Sequence, residues 1–149
     1  MEIRGHGRNY FSRPDGAAVR TLLNDAGLPS SDLTERHLEH FIGCGDAHAL
    51  QGVIGLELYA PLALLRSLAV AKSDRSGGIG RALVEHAERH ARRHGVSEIY
   101  LLTTSAERFF ARAGYAGIAR DDAPEAIRKT AEYSKLCPVS SALMRKRLA

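Results

Sequence analysis

The most constraining feature of this sequence is a glycine-rich turn between a predicted strand and a predicted helix. The apolar run Leu64–Val70 predicts a strand, and residues Gly78 to His94 have helical spacing. Between them lies Asp74-Arg75-Ser76-Gly77, which leads into Gly78-Ile79-Gly80-Arg81. The first turn of a helix presents backbone N–H groups outward and carries the positive end of the helix dipole, so it attracts phosphate. The turn is therefore a candidate site for a phosphate or pyrophosphate.

Two common phosphate motifs do not fit this turn. A P-loop requires Gly, four residues and then Gly-Lys-Ser/Thr, and the sequence contains no such run. A dinucleotide fingerprint requires a third glycine at the position where Leu83 stands. What remains is Arg-x-x-Gly-x-Gly at Arg75, Gly78 and Gly80. A tight turn that binds no ligand stays an alternative.

The charge distribution favours a phosphate ligand over a nucleic acid. The net charge of the 149 residues is +4, but residues 1–71 hold six basic and eight acidic side chains. Residues 72–94, around the turn, hold six basic and three acidic ones. Aromatic residues make up 6% of the chain and do not alternate with the basic ones, so we expect no nucleic-acid partner.

Composition limits the class of protein and its location. The length and the 44% share of hydrophobic residues suit one globular domain, which we predict to span residues 1–149. No apolar run reaches the roughly 20 residues of a membrane span, and the first residues are polar, unlike a secretion signal. Two cysteines cannot form a disulfide framework. We therefore expect a cytoplasmic protein with no membrane partner.

Hydrophobic periodicity predicts a strand-rich α/β domain without a long linker. The predicted strands are Met1–Tyr10, Phe41–Cys44, Ala49–Tyr59, Leu64–Val70, Ile99–Thr103, one around Ile118, and Ser140–Arg147. The predicted helices are Pro14–Ala26, one from Ser31 or Asp32 with Leu33, His37, Leu38 and Phe41 on one side, Gly78–His94, Ala106–Ala113 and Pro124–Tyr133. His86, His90 and His94 lie four apart on one helix, but charged residues surround them, so we predict a solvated face and no metal site.

Two of these segments together resemble a known family. The strand Leu68-Ala69-Val70 followed by Arg-x-x-Gly-x-Gly-Arg-Ala-Leu is similar to the acetyl-CoA-binding motif of the GCN5-related N-acetyltransferases, the GNAT superfamily. The run from Ile99 to Tyr115, with Phe-Phe-Ala-Arg-Ala-Gly-Tyr at its end, resembles the second motif of that superfamily. More loosely, these strings and Leu-Cys-Pro-x-Ser resemble the N-acetyltransferases of arsenic-resistance operons.

The resemblance implies both a fold and a reaction. The fold would be an α/β (α+β) GNAT fold, with a mixed, mostly antiparallel central sheet of about six to seven strands flanked by about four helices. The reaction would be direct transfer of an acetyl group from acetyl-CoA to a small amine, with an amino acid or a toxic amino-acid analogue as candidate acceptor. No metal cofactor is implied, and a monomer or a homodimer is expected. A non-catalytic module that senses acetyl-CoA is the alternative.

The resemblance also assigns residues to the cosubstrate. The backbone of Leu68 and Val70 would pair with pantetheine, the amides from Ser76 to Arg81 would surround the pyrophosphate, and a backbone N–H at the end of the same strand would meet the oxyanion. Many relatives have Asn where Thr103 stands, so Thr103 or Thr104 would replace that contact. The candidate cosubstrate residues are Leu68, Ala69, Val70, Arg75, Ser76, Gly77, Gly78, Ile79, Gly80, Arg81, Thr103, Thr104 and Phe110.

The candidate catalytic residues are Glu57 as base and Tyr115 as acid. Glu57 is the only acid in an otherwise apolar strand, whereas Phe110 stands where many relatives have a proton-donating Tyr. Arg66 and Cys137 are candidates for acceptor binding, Arg66 because a guanidinium binds a carboxylate bidentately. The alternatives are a structural ion pair between Glu57 and Arg66, packing roles for Tyr115 and Cys137, and protonation of the leaving thiolate by water.

Overall fold

The strands of the described residues form a single mixed sheet. The computed structural model describes residues 8–148. Within that range the strands are β1 (Tyr10–Ser12), β2 (Phe41–Asp46), β3 (Ala49–Tyr59), β4 (Leu62–Val70), β5 (Glu98–Thr103), β6 (Ala116–Ile118) and β7 (Ala142–Arg147). They lie in the order β1-β2-β3-β4-β5-β7-β6. The β4–β5 pair is parallel, and the β1–β2, β2–β3, β5–β7 and β6–β7 pairs are antiparallel, which confirms the predicted fold class.

Five α-helices connect these strands in the described range; hydrophobic periodicity predicts five, and the resemblance implies about four. They are α1 (Gly16–Asp25), α2 (Glu35–Leu38), α3 (Ile79–Arg93), α4 (Glu107–Arg112) and α5 (Glu125–Arg128), and a π-helical turn at Glu132–Leu136 follows α5. No helix among residues 8–148 combines the length and the apolar composition that crossing a bilayer requires.

Residue contacts divide the chain into two compact units. Of the described residues, the first unit contains 8–55 and 67–83, and the second contains 56–66 and 84–148. The strands β3 and β4 and the helix α3 each contribute residues to both units. The prediction of one domain over residues 1–149 stays a prediction.

The first unit packs α1 and the start of α3 on the sheet. Val19, Leu22 and Leu23 of α1 form a buried cluster with side chains of β2, β3 and β4. At Gly52 of β3, an added Cβ would lie 2.8 Å from Ile79 Cγ2. Because only glycine permits this approach, the first turn of α3 lies directly on the strand, and this contact fixes where the glycine-rich turn ends.

The second unit is built around β5. Leu62 to Leu64 of β4 pair in parallel with residues 98–100, and β7 pairs antiparallel with the whole of β5. Its buried cluster contains Leu64, Tyr100, Ala123, Ile127 and Leu143. This core holds α5 against the second unit's part of the sheet, directly before the π-helical turn.

The largest differences between prediction and structure concern two helices and the opening strand, whereas the other elements differ by at most two residues at either end. Thr34 starts α2 through a capping box with His37, so the helix begins at Glu35 rather than at residue 31 or 32, and Phe41 belongs to β2. The helix predicted for Pro124–Tyr133 ends at Arg128, where the Thr130 hydroxyl donates to Ile127 O at 2.7 Å. The opening strand is Tyr10–Ser12, and Met1 to Gly7 lie outside the described residues.

Candidate active site

The glycine-rich turn leads from β4 into α3 with two residues in left-handed conformation. Ser76 has φ 75° and Gly78 has φ 83°, and residues 75–78 are exposed. At the start of α3, the backbone N–H of Ala82 donates to the carbonyl oxygen of Gly78 at 3.1 Å. An added Cβ at Gly78 would meet no atom within 4 Å, so there is open space beside this residue. This geometry fits a phosphate on the amides at the start of α3.

Side chains of the first unit fix the shape of this turn. Arg75 Nε donates to Val70 O at 3.1 Å, and Gln51 Nε2 donates to Asp74 Oδ1 at 3.1 Å. Part of the Arg75 guanidinium is thus used to hold the backbone that leads into the turn. Arg81, on the exposed face of the first turn of α3, places a second predicted cation at the same helix end.

A third arginine at the turn was not predicted. Arg8 Nη1 donates to Gly77 O at 2.9 Å. Arg8 is held there by the next residue, since Asn9 O accepts the N–H of Gly45 at 2.9 Å and so extends the pairing of β1 with β2. No motif marks Arg8 in the sequence, because the strand pairing that brings it to the turn is a long-range contact.

The end of β4 that was assigned to pantetheine contains an irregularity. Ser67 is buried and has φ 63°, a left-handed value that non-glycine residues rarely adopt. Such a residue inside a strand interrupts the regular ladder and redirects the backbone, a device that recurs next to active sites. Leu68 and Val70 are half-buried and Ala69 is buried, so the strand beyond the irregularity keeps two partly accessible residues.

The second unit contains a buried charged cluster of Glu57, Arg66 and Glu132. Arg66 Nη1 lies 2.7 Å from Glu57 Oε2, and Arg66 Nε lies 3.4 Å from Glu132 Oε2. The Arg66 side chain is 0% exposed, and the carboxylates are 7% and 5% exposed. The Tyr59 hydroxyl donates to Glu57 Oε1 at 2.5 Å. One positive group therefore lies between two negative ones, away from water.

This arrangement contains the ion pair that the sequence left as an alternative for Glu57 and Arg66. A buried charge of this kind requires a partner, and each member of the cluster supplies one for another. The second unit places Glu57 and Arg66, two predicted site residues, in direct contact. An anionic acceptor that bound Arg66 would have to compete with two internal carboxylates.

Glu132 is a member of this cluster that sequence reasoning missed. It stands in the π-helical turn Glu132–Leu136, and its side chain is turned inward although its neighbours Ser134 and Lys135 are exposed. π-Helical turns occur frequently at functional sites because the extra residue redirects a side chain. The sequence signal was a glutamate within a short amphipathic run, which does not distinguish a solvated residue from a buried one.

Cys137 follows this turn and is half-buried. Its backbone N–H donates to Glu132 O at 2.8 Å. Burial, together with the negative charge of Glu132, raises the pKa of the Cys137 thiol to about 11. The side chain is therefore a neutral thiol near neutral pH, which supports a packing or binding role rather than a nucleophilic one.

Tyr115 lies in a second buried network. Its hydroxyl donates to Glu88 Oε2 at 3.0 Å, and Lys146 Nζ lies 3.0 Å from both oxygens of the same carboxylate. Burial and the Glu88 charge raise the pKa of the Tyr115 hydroxyl well above its ordinary value. Because a raised pKa makes a weaker acid, this geometry supports the packing alternative for Tyr115.

We expect Tyr115→Phe to affect stability more than activity. The substitution removes one buried hydrogen bond to a charged group, which should lower the free energy of unfolding by about 1.5–3 kcal/mol. Glu88 keeps its ion pair with Lys146, so the kcat for acetyl transfer should stay within about threefold of the native value. Urea unfolding and steady-state kinetics measure the two effects. A fall in kcat of about 100-fold or more would instead assign Tyr115 the role of acid.

The remaining predicted cosubstrate residues belong to the second unit and lie around α4. The Thr103 hydroxyl accepts the N–H of Ala106 at 3.0 Å, so it stabilises the turn before the helix, and Thr104 is exposed. Phe110 is 5% exposed and packs edge-on against Tyr115, with ring centroids 5.7 Å apart. Phe110 thus takes part in the aromatic packing of this unit.

Comparison with known proteins identifies the family of this chain. The model of the acetyltransferase (GNAT) family matches residues 9–115. An uncharacterised N-acetyltransferase of Chlorobaculum tepidum is 37% identical over 92 residues, which cover 61% of this chain and 59% of the relative. An amino-acid acetyltransferase of Neisseria meningitidis serogroup A is 29% identical over 121 residues, 78% of this chain and 28% of the relative.

A solved structure shows the same fold. N-acetylglutamate synthase from Neisseria gonorrhoeae, complexed with coenzyme A and N-acetyl-glutamate, superposes with a TM-score of 0.79 at 24% identity. The match covers 98% of this chain and 36% of the synthase. The chain thus spans less than two thirds of each of these three proteins. The family model itself matches well over half of the chain, and the chain belongs to the acetyltransferase (GNAT) family.

Proposed function

We propose that this protein is an N-acetyltransferase that moves the acetyl group of acetyl-CoA directly to the amine of a small molecule. The observation that carries the proposal is that the family match, residues 9–115, includes both the glycine-rich turn and the buried carboxylate of Glu57. Relatives named as amino-acid acetyltransferases support an amino acid as the acceptor class.

Acetyl-CoA fits the residues of the first unit. The exposed turn would hold the pyrophosphate on the amides from Ser76 to Arg81, with Arg75 and Arg81 as cations. The backbone of Leu68 and Val70 would accompany the pantetheine chain, and a backbone N–H beyond the irregularity at Ser67 would meet the carbonyl oxygen. Acetyl-CoA supplies a thioester, whose C–S bond breaks as the new C–N bond forms.

Glu57 is the proposed base, directly or through one water. Its carboxylate accepts the proton that the acceptor ammonium must lose before its nitrogen can attack. Arg66 and Tyr59 hold that carboxylate from two sides, at 2.7 Å and 2.5 Å, and so fix its orientation. The departing thiolate needs no dedicated acid, since a thiol has a pKa of about 8.5 and can take its proton from water.

Arg66 is proposed to take part in acceptor recognition, with Cys137 beside it. An acceptor carboxylate would bind the guanidinium by replacing one of its glutamate partners. Glu132 is the weaker of the two partners, at 3.4 Å against 2.7 Å for Glu57. Exchange at Glu132 would leave the base in place. The narrower similarity to arsenic-resistance acetyltransferases, a toxic amino-acid analogue as acceptor and a cytoplasmic location stay predictions.

Thiol release from acetyl-CoA tests the function. The purified protein is mixed with acetyl-CoA and a panel of amines that contains α-amino acids, their decarboxylated counterparts and polyamines. We expect release that depends on one class of amine, with α-amino acids preferred over the decarboxylated compounds if Arg66 binds a carboxylate. A parallel calorimetric titration with CoA measures binding on its own.

The alternative function is a non-catalytic sensor of acetyl-CoA. It is favoured by Phe110, which has no proton to donate, and by the engagement of the Tyr115 hydroxyl with Glu88. Tight CoA binding without thiol release for any amine would support the sensor. Amine-dependent release would exclude it, and failure to bind CoA would exclude both functions.

A further inference from the structure

The side chain of Arg8, which lies outside the sequence motif, contacts the glycine-rich turn. Arg8, two residues before β1, extends over the turn and donates from Nη1 to Gly77 O at 2.9 Å. Both residues belong to the first unit; Gly77 is exposed and Arg8 is half-buried. This bond uses one of the five N–H donors of the guanidinium and holds the end of the side chain at the turn.

The backbone of the turn is shaped to permit this contact. An added Cβ at Gly77 would lie 2.6 Å from Arg8 Nη2, which is closer than two such atoms can approach. Gly77, unlike Gly78, does not have a positive φ, so the backbone conformation itself does not demand glycine there. A Cβ at residue 77 would therefore have to displace the flexible end of the Arg8 side chain.

We propose that Arg8 binds a phosphate group of acetyl-CoA at the turn, and that the absence of a side chain at Gly77 leaves room for the Arg8 guanidinium in the observed position. The proposal rests on the proposed function and adds a ligand from the N-terminal segment to it. The backbone next to Arg8 is held in place, since Asn9 O accepts the Gly45 N–H. Because the guanidinium already donates to Gly77 O, it loses less conformational freedom on binding phosphate than an unbound side chain would, and it offers the planar donor geometry that phosphate oxygens accept.

Arg8 reaches the turn from a different part of the chain than Arg75 and Arg81 do. Arg75 is bound through Nε to Val70 O, and Arg81 belongs to the first helical turn. Arg8 approaches from the N-terminal segment. With Arg8 the turn has three arginines from two separate stretches of the chain, and the sequence motif accounts for two of the three.

The test compares ligands that differ only in their phosphates. For Arg8→Gln we expect the Kd for CoA, measured by calorimetry, to rise about 5- to 20-fold, with circular dichroism and melting temperature unchanged. The ratio of the Kd of Arg8→Gln to that of the native protein is then measured with 3′-dephospho-CoA. If this ratio is as large as with CoA, Arg8 contacts the pyrophosphate; if it is near one, Arg8 contacts the 3′-phosphate. Arg8→Lys should retain part of the affinity, since charge remains but the planar fork is lost.

A phosphate-free substrate separates direct contact from a structural effect. The kcat/KM for S-acetylpantetheine should be the same in native protein and Arg8→Gln within about twofold. The proposal would be overturned if Arg8→Gln lowered kcat/KM for S-acetylpantetheine by the same factor by which it raised the Kd for CoA. It would also be overturned if the Kd for CoA did not change. If the native protein itself fails to bind CoA, the proposed function fails as well, so the two failures are distinguishable.

The role of Gly77 is tested by a double-mutant cycle. Gly77→Ala should displace the flexible end of Arg8 and weaken CoA binding to a similar extent as Arg8→Gln. The double variant should then bind CoA no more weakly than either single variant, because the two substitutions remove the same contact. Additive losses would overturn the coupling, since they would show that a methyl group at residue 77 obstructs the phosphate independently of Arg8.

Discussion

Replacing Arg66 by methionine is expected to lower the free energy of unfolding by about 3–5 kcal/mol at neutral pH. The methionine fills most of the volume but leaves the carboxylates of Glu57 and Glu132, which are 7% and 5% exposed, without their cation. Two like charges would then lie buried near each other. Equilibrium unfolding in urea, followed by circular dichroism, measures the loss.

The chain supplies a matched control for this prediction. Arg147 forms an ion pair with Glu98 at 3.0 Å, but its side chain is 72% exposed. Arg147→Met should therefore change the free energy of unfolding by no more than about 1 kcal/mol. The triple variant Arg66→Met, Glu57→Gln, Glu132→Gln should recover much of the lost stability, because no buried charge remains. An Arg66→Met loss of less than about 1 kcal/mol would contradict the description of the cluster as a buried charge network.

The second large effect concerns catalysis. Glu57→Gln should lower kcat/KM for acetyl transfer by about 10²- to 10³-fold near neutral pH, while the Kd for CoA stays unchanged. A glutamine keeps the size of the side chain; its one carbonyl oxygen can accept from Arg66 while its NH2 group donates to the Tyr59 hydroxyl, but it cannot accept a proton from the acceptor. Stopped assays of thiol release over pH 6 to 9 measure the effect.

Glu98→Gln is the control for this substitution. Glu98 has a similar set of partners, since it accepts from Tyr100 at 2.9 Å and pairs with Arg147, but no catalytic role is assigned to it. We expect its kcat/KM to remain within about twofold of the native value. If Glu57→Gln also stays within about threefold across the pH range, Glu57 is not the base.

The parts of the fold that depend on local pattern were predictable from the sequence. The prediction of β3 as Ala49–Tyr59 has the observed bounds, because an apolar, β-branched run with turn residues before and after it defines both ends locally. The strand, turn and helix order around Gly78 is likewise confirmed, since glycines and helical spacing mark it within about 30 residues.

The parts that depend on distant contacts were not predictable. The sequence analysis considered the Glu57–Arg66 pair because the two residues lie on adjacent predicted strands, but Glu132 reaches Arg66 from 66 positions away. Arg8 reaches Gly77 across 69 positions. In both cases the partner is chosen by packing and strand pairing, and residue type alone does not show which charged side chains remain at the surface.

The π-helical turn has a consequence for how this segment tolerates changes in length. Glu132–Leu136 contains one residue more than an ordinary helical turn would need before Cys137. Deleting one residue from 133–136 would allow a regular helix, but it would rotate the glutamate relative to the backbone that follows and move its carboxylate away from the guanidinium. Connecting segments at a protein surface usually accept insertions and deletions. In this segment the contact of Glu132 with Arg66 depends on the number of residues between Glu132 and Cys137.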